Sequence, residues 1–420
     1  MLDMKFIREN PDFVKEAVAK KKTNVDIDKL LELDNKRRDI IHEVEHLKAK
    51  RNSASANIAK KKKAGESADD AIAEMKKVGE QISVFDNQLR DLDEQIKNIT
   101  IWIPNLPHES VQTGGEDDMV IVKEWGEIKK PSFKILPHWE IGAKLGILDL
   151  DSATKISGAG FYLLRGLGAR LQRALVSYML DTHSADGFEE IIAPYLVTEN
   201  TMFGTGQLPK MEDDMYKTTE DGMYLIPTAE VSVTNIYKKE IINGNDLPIK
   251  MVGHSPCFRR EAGAAGKDTR GMIRVHQFDK VEMVKIVHPD NSYDELETLV
   301  AQAEKILQGL KIPYRIGTLA TGDLSFAAAK CYDIELWASG VEKYLEISSI
   351  SNFESFQARR MNCRFRDDEK KVQFPHTLNG SGVALARLIP AILENYQNED
   401  GTVTIPEVLV PYMGGIEKIG

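Results

Sequence analysis

The sequence predicts an α+β protein in which an N-terminal antiparallel coiled-coil arm precedes a larger domain, an antiparallel sheet flanked by helices. Three observations lead to this prediction. Two long stretches before residue 100 repeat apolar residues at steps of three and four, and a segment rich in proline and glycine follows them. The remaining segments alternate apolar residues in strand fashion between turn residues. The 420 residues suffice for two or three domains.

The opening of the chain predicts a short helix. Asn10 is its expected N-cap and Pro11 its first residue, a position where proline's missing N–H has no intrahelical partner to lose. The apolar face of this helix would comprise Phe13, Val14, Ala17 and Val18.

Two apolar repeats predict a long helical hairpin over about residues 28–100. Between them, KKKKAGESADD contains Gly65 and polar residues suited to a turn, so the two helices would run antiparallel. The second repeat alternates steps of four and three without a break, as the a and d positions of a coiled coil do. Arg37 and Arg51 occupy two positions of the first repeat. The apolar positions are Leu30, Leu33, Ile40, Val44, Leu47, Ala54 and Ile58 in the first repeat, and Ala71, Met75, Val78, Ile82, Phe85, Leu89, Leu92, Ile96 and Ile99 in the second.

Charge distinguishes the tip of this hairpin. The chain has a net charge of −10, yet the stretch KAKRNSASANIAKKKK carries seven basic residues and no acidic one. A local basic stretch on an acidic protein attracts a polyanion to one place, because exposed charges act over only about 8–10 Å. Phosphate binding is therefore one interpretation of the tip. A solvated coiled-coil face and a dimerisation stalk are the alternatives.

The segment ITIWIPNLPHESVQTGG cannot continue a helix, because it contains Pro104, Pro107, Gly114 and Gly115. We therefore predict an N-terminal domain over residues 1–110 and a second domain over residues 111–420. Within the second domain, a helix is expected from about Gly168 to His183. Strands are expected in FEEIIAP, MYLIPTAE, IRVHQFDKVEMVKIV, YDIELWAS and KYLEISSISNF.

Composition excludes several classes of protein. No apolar run approaches the roughly 18 residues of a membrane span, and the charged start MLDMKFIRENPDF does not resemble a signal peptide, so we expect a cytoplasmic protein without membrane contact. Cys257, Cys331 and Cys363 are too far apart for a CxxC motif and odd in number, which argues for reduced thiols. The common nucleotide motifs GxxxxGK[ST] and GxGxxG are absent.

Residues 256–283 are predicted to form a strand, a glycine-rich loop and a second strand with unusual polar faces. Arginine suits bidentate contact with phosphate or carboxylate, and phenylalanine on the same face can stack on a base. The alternative is an exposed hairpin lined with cross-strand ion pairs. The residues that share a face are Arg259 and Glu261 on the first strand, and Arg274, His276, Phe278, Lys280 and Glu282 on the second.

Two further segments place hydroxyl and carboxylate groups close together. MYLIPTAE puts Thr228 and Glu230 on one side of a predicted strand end. YLEISSISNFESFQARR offers Glu346 with Ser348 and Ser349, oxygen ligands of the kind Mg²⁺ prefers. A serine-rich edge strand is the alternative for this second segment.

A fourth segment, HTLNGSGVALARLIPAILEN, is predicted as a glycine-rich turn followed by a helix. Arg387 lies near the start of this helix among apolar residues. An arginine on a largely buried helix requires an anionic partner, so this residue also indicates a site for an anion.

Together these segments resemble one family, the bacterial-type seryl-tRNA synthetases, which are class II aminoacyl-tRNA synthetases. RGLGARLQRALVSYMLDTHSADGFEEIIAP, ending at Pro194, resembles class II motif 1, the family's dimer element. FRREAGAAGKDTRG with RVHQFDKVE resembles motif 2, and LNGSGVALAR resembles motif 3. TAE and EISSISNFESFQARR are similar to segments specific to the seryl enzymes. The resemblance covers essentially the whole chain and implies a class II synthetase-type antiparallel sheet.

The resemblance implies roles for residues at the nucleotide. Arg259, Arg274 and Arg387 would be the catalytic arginines, with Arg259 on the serine carboxylate and α-phosphate and the other two on the γ-phosphate. Glu346 and Ser349 would ligate Mg²⁺, which requires a bulge or strand end between them because residues three apart on a regular strand face opposite sides. ATP would further contact Arg260, Glu261 at the adenine amino group, Val275, Phe278 stacked on the ring, Ile347 and Ser348.

The resemblance also implies a serine pocket. A carboxylate such as Glu282 can accept hydrogen bonds from both the ammonium and the hydroxyl of serine, and a site built in this way rejects alanine because its polar groups would remain unpaired. The residues expected at serine are Thr228, Ala229, Glu230, Arg259, Glu282, Asn379 and Ser381.

The implied reaction has two steps, formation of seryl-adenylate from serine and MgATP, then transfer of the seryl group to the 3′ end of tRNA. The implied partners are tRNA(Ser), with tRNA(Sec) a further candidate, and a second subunit in a homodimer. In this family the arm grips the long variable arm of tRNA. Two alternatives stay open, a related ligase that loads an amino acid onto a carrier protein, and a non-catalytic RNA-binding paralogue.

Overall fold

The computed structural model describes residues 1–262 and 270–420, so the centre of the predicted glycine-rich loop, residues 263–269, lies outside the described residues. The chain divides into two units, Leu2–Ile103 and Pro104–Gly420 with Met1. The helices of the first unit are α1 (Met4–Glu9), α2 (Pro11–Lys20), α3 (Ile27–Lys63) and α4 (Asp69–Thr100).

Helices α3 and α4 form the predicted antiparallel hairpin. Every apolar position predicted in α4 is buried or half-buried, with Val78 and Ile82 the most enclosed at 4% and 5% exposure. Ion pairs across the hairpin join Arg37 to Asp93 at 2.5 Å and Lys50 to Glu74 at 2.7 Å, an order that only antiparallel helices allow. The heptad prediction is therefore confirmed, and Arg37 occupies its apolar position by pairing across the seam.

The opening of the chain differs from the prediction in two respects. Two helices are present rather than one, and Asn10, which lies between them, donates its side-chain Nδ2 to the carbonyl of Phe6 and so closes α1. Pro11 begins α2 as predicted. Val14, Ala17 and Val18 are buried, but Phe13 is 53% exposed and pairs edge-on with Phe6, so its assignment to the buried face was wrong.

An eight-stranded sheet organises the second unit, in the order β1-β8-β9-β10-β13-β7-β6-β2. All neighbours are antiparallel except β2 and β6. The strands are β1 (Val120–Trp125), β2 (Glu189–Glu190), β3 (Leu196–Val197), β4 (Tyr224–Leu225), β5 (Ile241–Asn243), β6 (Ile249–Phe258), β7 (Gln277–Val287), β8 (Tyr314–Thr318), β9 (Lys330–Ala338), β10 (Lys343–Asn352), β11 (Arg364–Arg366), β12 (Val372–Gln373), β13 (His376–Ala384), β14 (Val403–Thr404) and β15 (Lys418–Ile419). The helices are α5 (His138–Lys144), α6 (Leu150–Ser157), α7 (Leu167–Ala185), α8 (Glu199–Thr205), α9 (Ala229–Thr234), α10 (Ser292–Gly309), α11 (Phe356–Met361) and α12 (Leu385–Asn395).

The two faces of this sheet have different environments. Side chains at alternate positions, among them Val281, Ile334 and Val383, pack with α7, α10 and α12 in the main hydrophobic core. Because successive side chains on a strand point to opposite faces, the intervening positions point away from this core. Those positions include Lys280 and Asp333, and a register shift between Ser381 and Val383 places Ser381 on the same side, so the polar residues of the strands gather there.

Three local predictions require correction. The strand predicted in MYLIPTAE ends at Leu225, and Thr228 instead caps α9 by accepting a hydrogen bond from the Glu230 N–H, as helix N-cap residues do. Arg274 and His276 precede β7 rather than lying on it. The segment predicted as a glycine-rich turn, which resembles motif 3, is the strand β13, whose register with β7 shifts between Ser381 and Val383.

Close packing explains the glycines in that strand. A Cβ atom added at Gly382 would lie 2.8 Å from the His183 ring, and one added at Gly380 would lie 3.1 Å from Ile350. The glycines therefore let neighbouring elements approach β13 rather than turn the chain. The helix predicted from Gly168 to His183 is confirmed as α7.

Two further observations concern the described residues as a whole. None of the helices in residues 1–262 and 270–420 combines the length and apolarity that crossing a bilayer requires. The three cysteines are free and buried.

The buried seam of the hairpin makes a test of its stability possible. We expect Ile82→Ala to lower the local stability of the arm by about 2–4 kcal/mol, because it opens a cavity between α3 and α4. Val84→Ala is the matched control, since Val84 lies two residues away and is 56% exposed. Amide hydrogen exchange of α4 in the full-length protein measures the difference. Equal amide exchange rates in Ile82→Ala and Val84→Ala would show that Ile82 does not pack in a buried seam between α3 and α4.

Candidate active site

A cavity of about 510 Å³ opens on the polar side of the sheet. Residues from β7, β9, β10 and β13 form its floor, and the residues just before β7, Pro227 and Thr228 before α9, and the start of α12 form its walls. Thirteen of the side chains predicted for the site line it: Thr228, Glu230, Arg259, Glu261, Arg274, Val275, Phe278, Glu346, Ile347, Ser349, Asn379, Ser381 and Arg387. The structure thus gathers these residues, while their individual roles remain predictions.

Glu282 lies at one end of the cavity, fully buried beneath its floor. Its two carboxylate oxygens accept hydrogen bonds from Asn379 Nδ2 at 3.0 Å and from Ser381 Oγ at 3.2 Å. Ser381 lies directly opposite Glu282 in the β13–β7 ladder, which explains why these two predicted residues meet. A buried carboxylate needs such partners, because an ionised group without them is strongly destabilised away from water.

Lys280 completes this end of the site, and we did not include it in the predicted set. Its ammonium lies 2.5 Å from Glu282 and donates to Thr228 Oγ1 at 3.0 Å, and the residue is only 6% exposed. The signal was available, since Lys280 shares the period-two face of Phe278 and Glu282. A buried lysine beside a buried carboxylate offsets the charge of that carboxylate.

Glu230 is the second carboxylate here. It is 5% exposed and accepts a hydrogen bond from Gln357 Nε2 at 2.6 Å. Burial, followed by the nearby Glu282 charge, raises the pKa of Glu230 to about 7, against the smaller opposing effects of Gln357, Lys280 and Arg259. A group that carries an ammonium would be attracted to this corner, because it would stabilise the ionised forms of both carboxylates.

The other end of the cavity is cationic and aromatic. The guanidinium of Arg259 lies 5.2 Å from the centre of the Phe278 ring, and its Nε donates to the carbonyl of Pro227 at 3.4 Å. Arg274 donates from Nη1 to Glu261 at 2.7 Å. β6 ends at Phe258, so Arg259 and Glu261 follow the first strand rather than lying on it as predicted, and Glu261 has the left-handed backbone of a turn, with φ of 52°.

The β9–β10 pair carries carboxylates and hydroxyls toward the same cavity. The register shifts between Glu346 and Ser348, so the bulge expected between Glu346 and Ser349 is confirmed. Because of it, Ser349 Oγ reaches Glu346 Oε1 at 3.2 Å on the same side of the sheet. Arg387 donates to the carbonyl of Glu346 and lies 3.6 Å from its carboxylate.

These oxygens suit a magnesium ion. Asp333 pairs with Ser349 across the ladder, and burial followed by the Glu346 charge raises its pKa to about 8. Two carboxylates that oppose each other's ionisation are stabilised by a nearby cation. In residues 1–262 and 270–420 no cluster of three or more acidic, histidine or cysteine side chains could hold a metal by itself. Mg²⁺ binds a few protein oxygens together with phosphate oxygens and water. The oxygens of Glu346 and Ser349 suit this arrangement.

Besides Glu282, which is buried beneath the floor, three predicted residues are not among those that line the cavity. Arg260 is exposed and donates to the carbonyl of Asp213 at 3.0 Å, which secures a neighbouring turn. Ser348 is 1% exposed and donates its hydroxyl to the Ser381 carbonyl at 2.6 Å, inside the sheet. Ala229 is buried in α9 next to the lining residue Thr228. Any contact of these three with a ligand would involve the backbone or a change of conformation, and their roles stay predictions.

Comparison with known proteins places this site in a family. Residues 1–107 match the model of the seryl-tRNA synthetase N-terminal domain, and residues 211–396 match that of the tRNA synthetase class II core domain (G, H, P, S and T). A serine-tRNA ligase from Caldicellulosiruptor saccharolyticus is 54% identical over 416 residues, 99% of each chain. The chain belongs to the seryl-tRNA synthetase family. A serine-tRNA ligase from Desulfitobacterium hafniense is 52% identical over 422 residues, with both chains fully covered.

Solved seryl-tRNA synthetases share the fold. The crystal structure of the Pyrococcus horikoshii enzyme complexed with ATP has a TM-score of 0.94 and 39% identity, covering 100% of this chain and 99% of that one. The Naegleria fowleri cytoplasmic enzyme in complex with AMP has a TM-score of 0.89 and 32% identity, covering 100% and 98%. The predicted fold class and family are thereby confirmed.

The raised pKa of Asp333 predicts how pH affects the protein without nucleotide. The folded protein binds this proton more tightly than the unfolded chain, whose aspartate pKa is about 4, so Asp333 lowers stability as pH rises from about 4 to 8. We expect Asp333→Asn to raise the unfolding temperature above that of the wild type at pH 8, by roughly a few degrees, with little difference at pH 4.

The measurement is thermal unfolding in EDTA across this pH range. Asp368→Asn is the matched control, because the Asp368 side chain is exposed on the surface. A constant difference between Asp333→Asn and the wild type at every pH would rule out the proposed cause.

Proposed function

We propose that this protein is a serine-tRNA ligase that forms seryl-adenylate from serine and MgATP and transfers the seryl group to the 3′ end of tRNA(Ser). The observation that carries the proposal is the division of one cavity into two ends. Buried carboxylates and hydroxyls at one end suit a small amino acid, and arginines beside an aromatic ring at the other suit a nucleotide triphosphate. Relatives named serine-tRNA ligase, matched over the full chain, support it.

The first step needs positioning and charge neutralisation more than proton transfer. The serine carboxylate is already a nucleophile, so an oxygen of it attacks the α-phosphorus while pyrophosphate leaves. Arg259 lies over the Phe278 ring and donates to the carbonyl of Pro227, which precedes Thr228, and we assign it to the carboxylate and the α-phosphate, whose negative charges otherwise repel. Arg274 and Arg387 would hold the terminal phosphate. Phe278 would stack on adenine, with Glu261 accepting from the adenine amino group.

We assign the metal to the bulge of β10. Glu346 and Ser349 would hold Mg²⁺ there, where the ion would supply positive charge to the phosphate oxygens during adenylate formation. The protein's own contribution is to keep these two oxygens 3.2 Å apart and to hold Arg387 beside them. Burial and the Glu346 charge raise the pKa of Asp333, directly across the ladder, so Asp333 would contribute negative charge only when a cation stabilises its ionised form.

Serine would be selected by the network around Glu282. Its carboxylate can receive the hydroxyl and the ammonium of serine, while Thr228, Glu230, Asn379 and Ser381 bound the space that remains. An amino acid without a hydroxyl would leave a buried polar group unpaired. Sites that hydrogen-bond a substrate hydroxyl can discriminate by roughly 10⁴ to 10⁵ for this reason.

The second step requires bound tRNA, and we propose that the first unit, Leu2–Ile103, binds it. Seven basic residues between positions 48 and 63 lie near the tip of the hairpin, on the exposed last turns of α3 and just before them. Such a surface suits the phosphate backbone of a long variable arm, which is recognised by shape and charge rather than by base. tRNA(Sec), which we retain as a further candidate, would be recognised in the same way.

We further propose a homodimer located in the cytoplasm. Ile192, beside the motif 1 proline, is 85% exposed, and Ile156 is 73% exposed. Large exposed apolar side chains near the segment that resembles the family's dimer element are consistent with a surface that a second subunit covers.

The role of Arg259 gives the first functional test. We expect Arg259→Ala to reduce serine-dependent ATP–pyrophosphate exchange by a factor on the order of 10² or more, because the attacking carboxylate and the α-phosphate lose their shared cation. Arg366→Ala, at an exposed arginine on β11, should leave exchange unchanged. Near-normal exchange in Arg259→Ala, with the wild type active, would overturn this mechanism.

The arm gives a second test. Replacing Lys60, Lys61, Lys62 and Lys63 by alanine should raise the KM for tRNA(Ser) in serine charging by roughly tenfold or more and weaken its salt dependence, with pyrophosphate exchange unchanged. The matched control replaces the same four residues by arginine, which keeps the charge. Wild-type charging by the alanine variant would show that the tip does not bind tRNA. A wild type that exchanges but charges no tRNA would favour a carrier-protein ligase.

A further inference from the structure

A chain of buried polar contacts lies behind the serine end of the cavity. Thr377 Oγ1 donates to Gln357 Oε1 at 2.7 Å, and Gln357 Nε2 donates to Glu230 Oε1 at 2.6 Å and to the carbonyl of Thr205 at 3.0 Å. All four residues are at most 6% exposed. Gln357 is not among the residues that line the cavity and lies one hydrogen bond behind Glu230, which does line it.

The network fixes which way the Gln357 amide points. The Thr205 carbonyl can only accept a hydrogen bond, so the amide nitrogen must face it, and the Thr377 hydroxyl satisfies the amide oxygen on the other side. In residues 1–262 and 270–420, Gln357 is the one side chain that donates to the Glu230 carboxylate. The orientation of this carboxylate therefore depends on an amide that is itself held from two sides.

The same helix holds one wall of the cavity. Thr205, Gly206 and Gln207 line the cavity where α8 ends, and Gly206 has a left-handed backbone with φ of 92°. One turn beyond Gln357, Arg360 donates to the carbonyls of Phe203 and Leu208 at 2.8 and 2.6 Å. Helix α11 thus binds the 203–208 segment at three carbonyls, and Gln357 joins that segment to Glu230.

We propose that Gln357 is a positioning residue for amino-acid binding, which sets the Glu230 carboxylate and the 205–207 wall at a fixed separation around the substrate. The proposal rests on the function proposed above. It predicts that loss of the Gln357 amide weakens the recognition of serine and leaves the nucleotide end unaffected, because no atom of this network reaches Arg274, Phe278 or Arg387.

The test uses pyrophosphate exchange by the full-length protein. Gln357→Met removes the amide at similar volume, and Gln357→Glu places a third carboxyl beside Glu230 and Glu282. We expect both to raise the KM for serine at least tenfold with the KM for ATP within about twofold of the wild type, and Gln357→Glu to have the larger effect. The acid limb of kcat/KM for serine should move to higher pH in Gln357→Met, because the lost hydrogen bond favoured ionised Glu230.

A matched pair of variants keeps the proposal falsifiable if the Gln357 variants fold poorly. Thr377→Ser retains the hydroxyl that orients the amide and should behave as wild type, whereas Thr377→Val removes it at similar shape and should raise the KM for serine. Parallel increases in the KM for serine and ATP, or an unmoved acid limb with wild-type serine KM, would overturn the proposal. A wild type without serine-dependent exchange would instead overturn the proposed function.

Discussion

The buried carboxylate of Glu282 is the constraint on which the site depends. An ionised group at zero exposure is stable only when paired and hydrogen-bonded, and Glu282 obtains its partners from its own strand and from the adjacent one. Lys280 lies two residues earlier on β7, and Ser381 faces Glu282 across the ladder. The register of β7 and β13 is therefore tied to the chemistry, since a slip of one residue would move the partners to the other face of the sheet.

A charge pattern extends outward from this buried pair. Lys280 pairs with Glu282 at one end of the cavity, Arg259 lies over Phe278, Arg274 pairs with Glu261, and Arg387 lies beside Glu346 of β10. A small zwitterion and a polyphosphate with its metal ion would each complement a different part of this pattern. Strands supply Lys280 and the carboxylates of β7, β9 and β10, which keeps the separations of these groups fixed before any substrate arrives.

Periodic features of the sequence were sufficient to predict most of the fold. The a and d positions of α4 and the alternation along β7 each depend on local geometry that one segment sets for itself. The errors fell where distant packing decides. Nothing near Gly382 in the sequence reveals that His183 will lie against it, so a strand was mistaken for a turn. Gln357 acquires its significance only from partners 20 or more residues away, whereas the face that Lys280 shares with Glu282 is visible in the sequence and only its contact with Thr228 is not. Thr228 was assigned to a strand because its role as an N-cap depends on where α9 begins.

The carboxylates of Glu230 and Glu282 also affect which small molecules can bind at the proposed serine end of the cavity. Lys280 pairs with Glu282, and the pKa of Glu230 rises to about 7 because burial and the Glu282 charge both disfavour its ionised form. Two ionised carboxylates beside the one ammonium of Lys280 would leave a surplus of negative charge. An α-ammonium group relieves that surplus, whereas a hydroxy acid of the same size brings no cation to do so. Recognition of the hydroxyl alone would accept both the amino acid and the hydroxy acid. The two carboxylates therefore add a requirement for an amine, and the Gln357 network holds the Glu230 carboxylate in place to meet it.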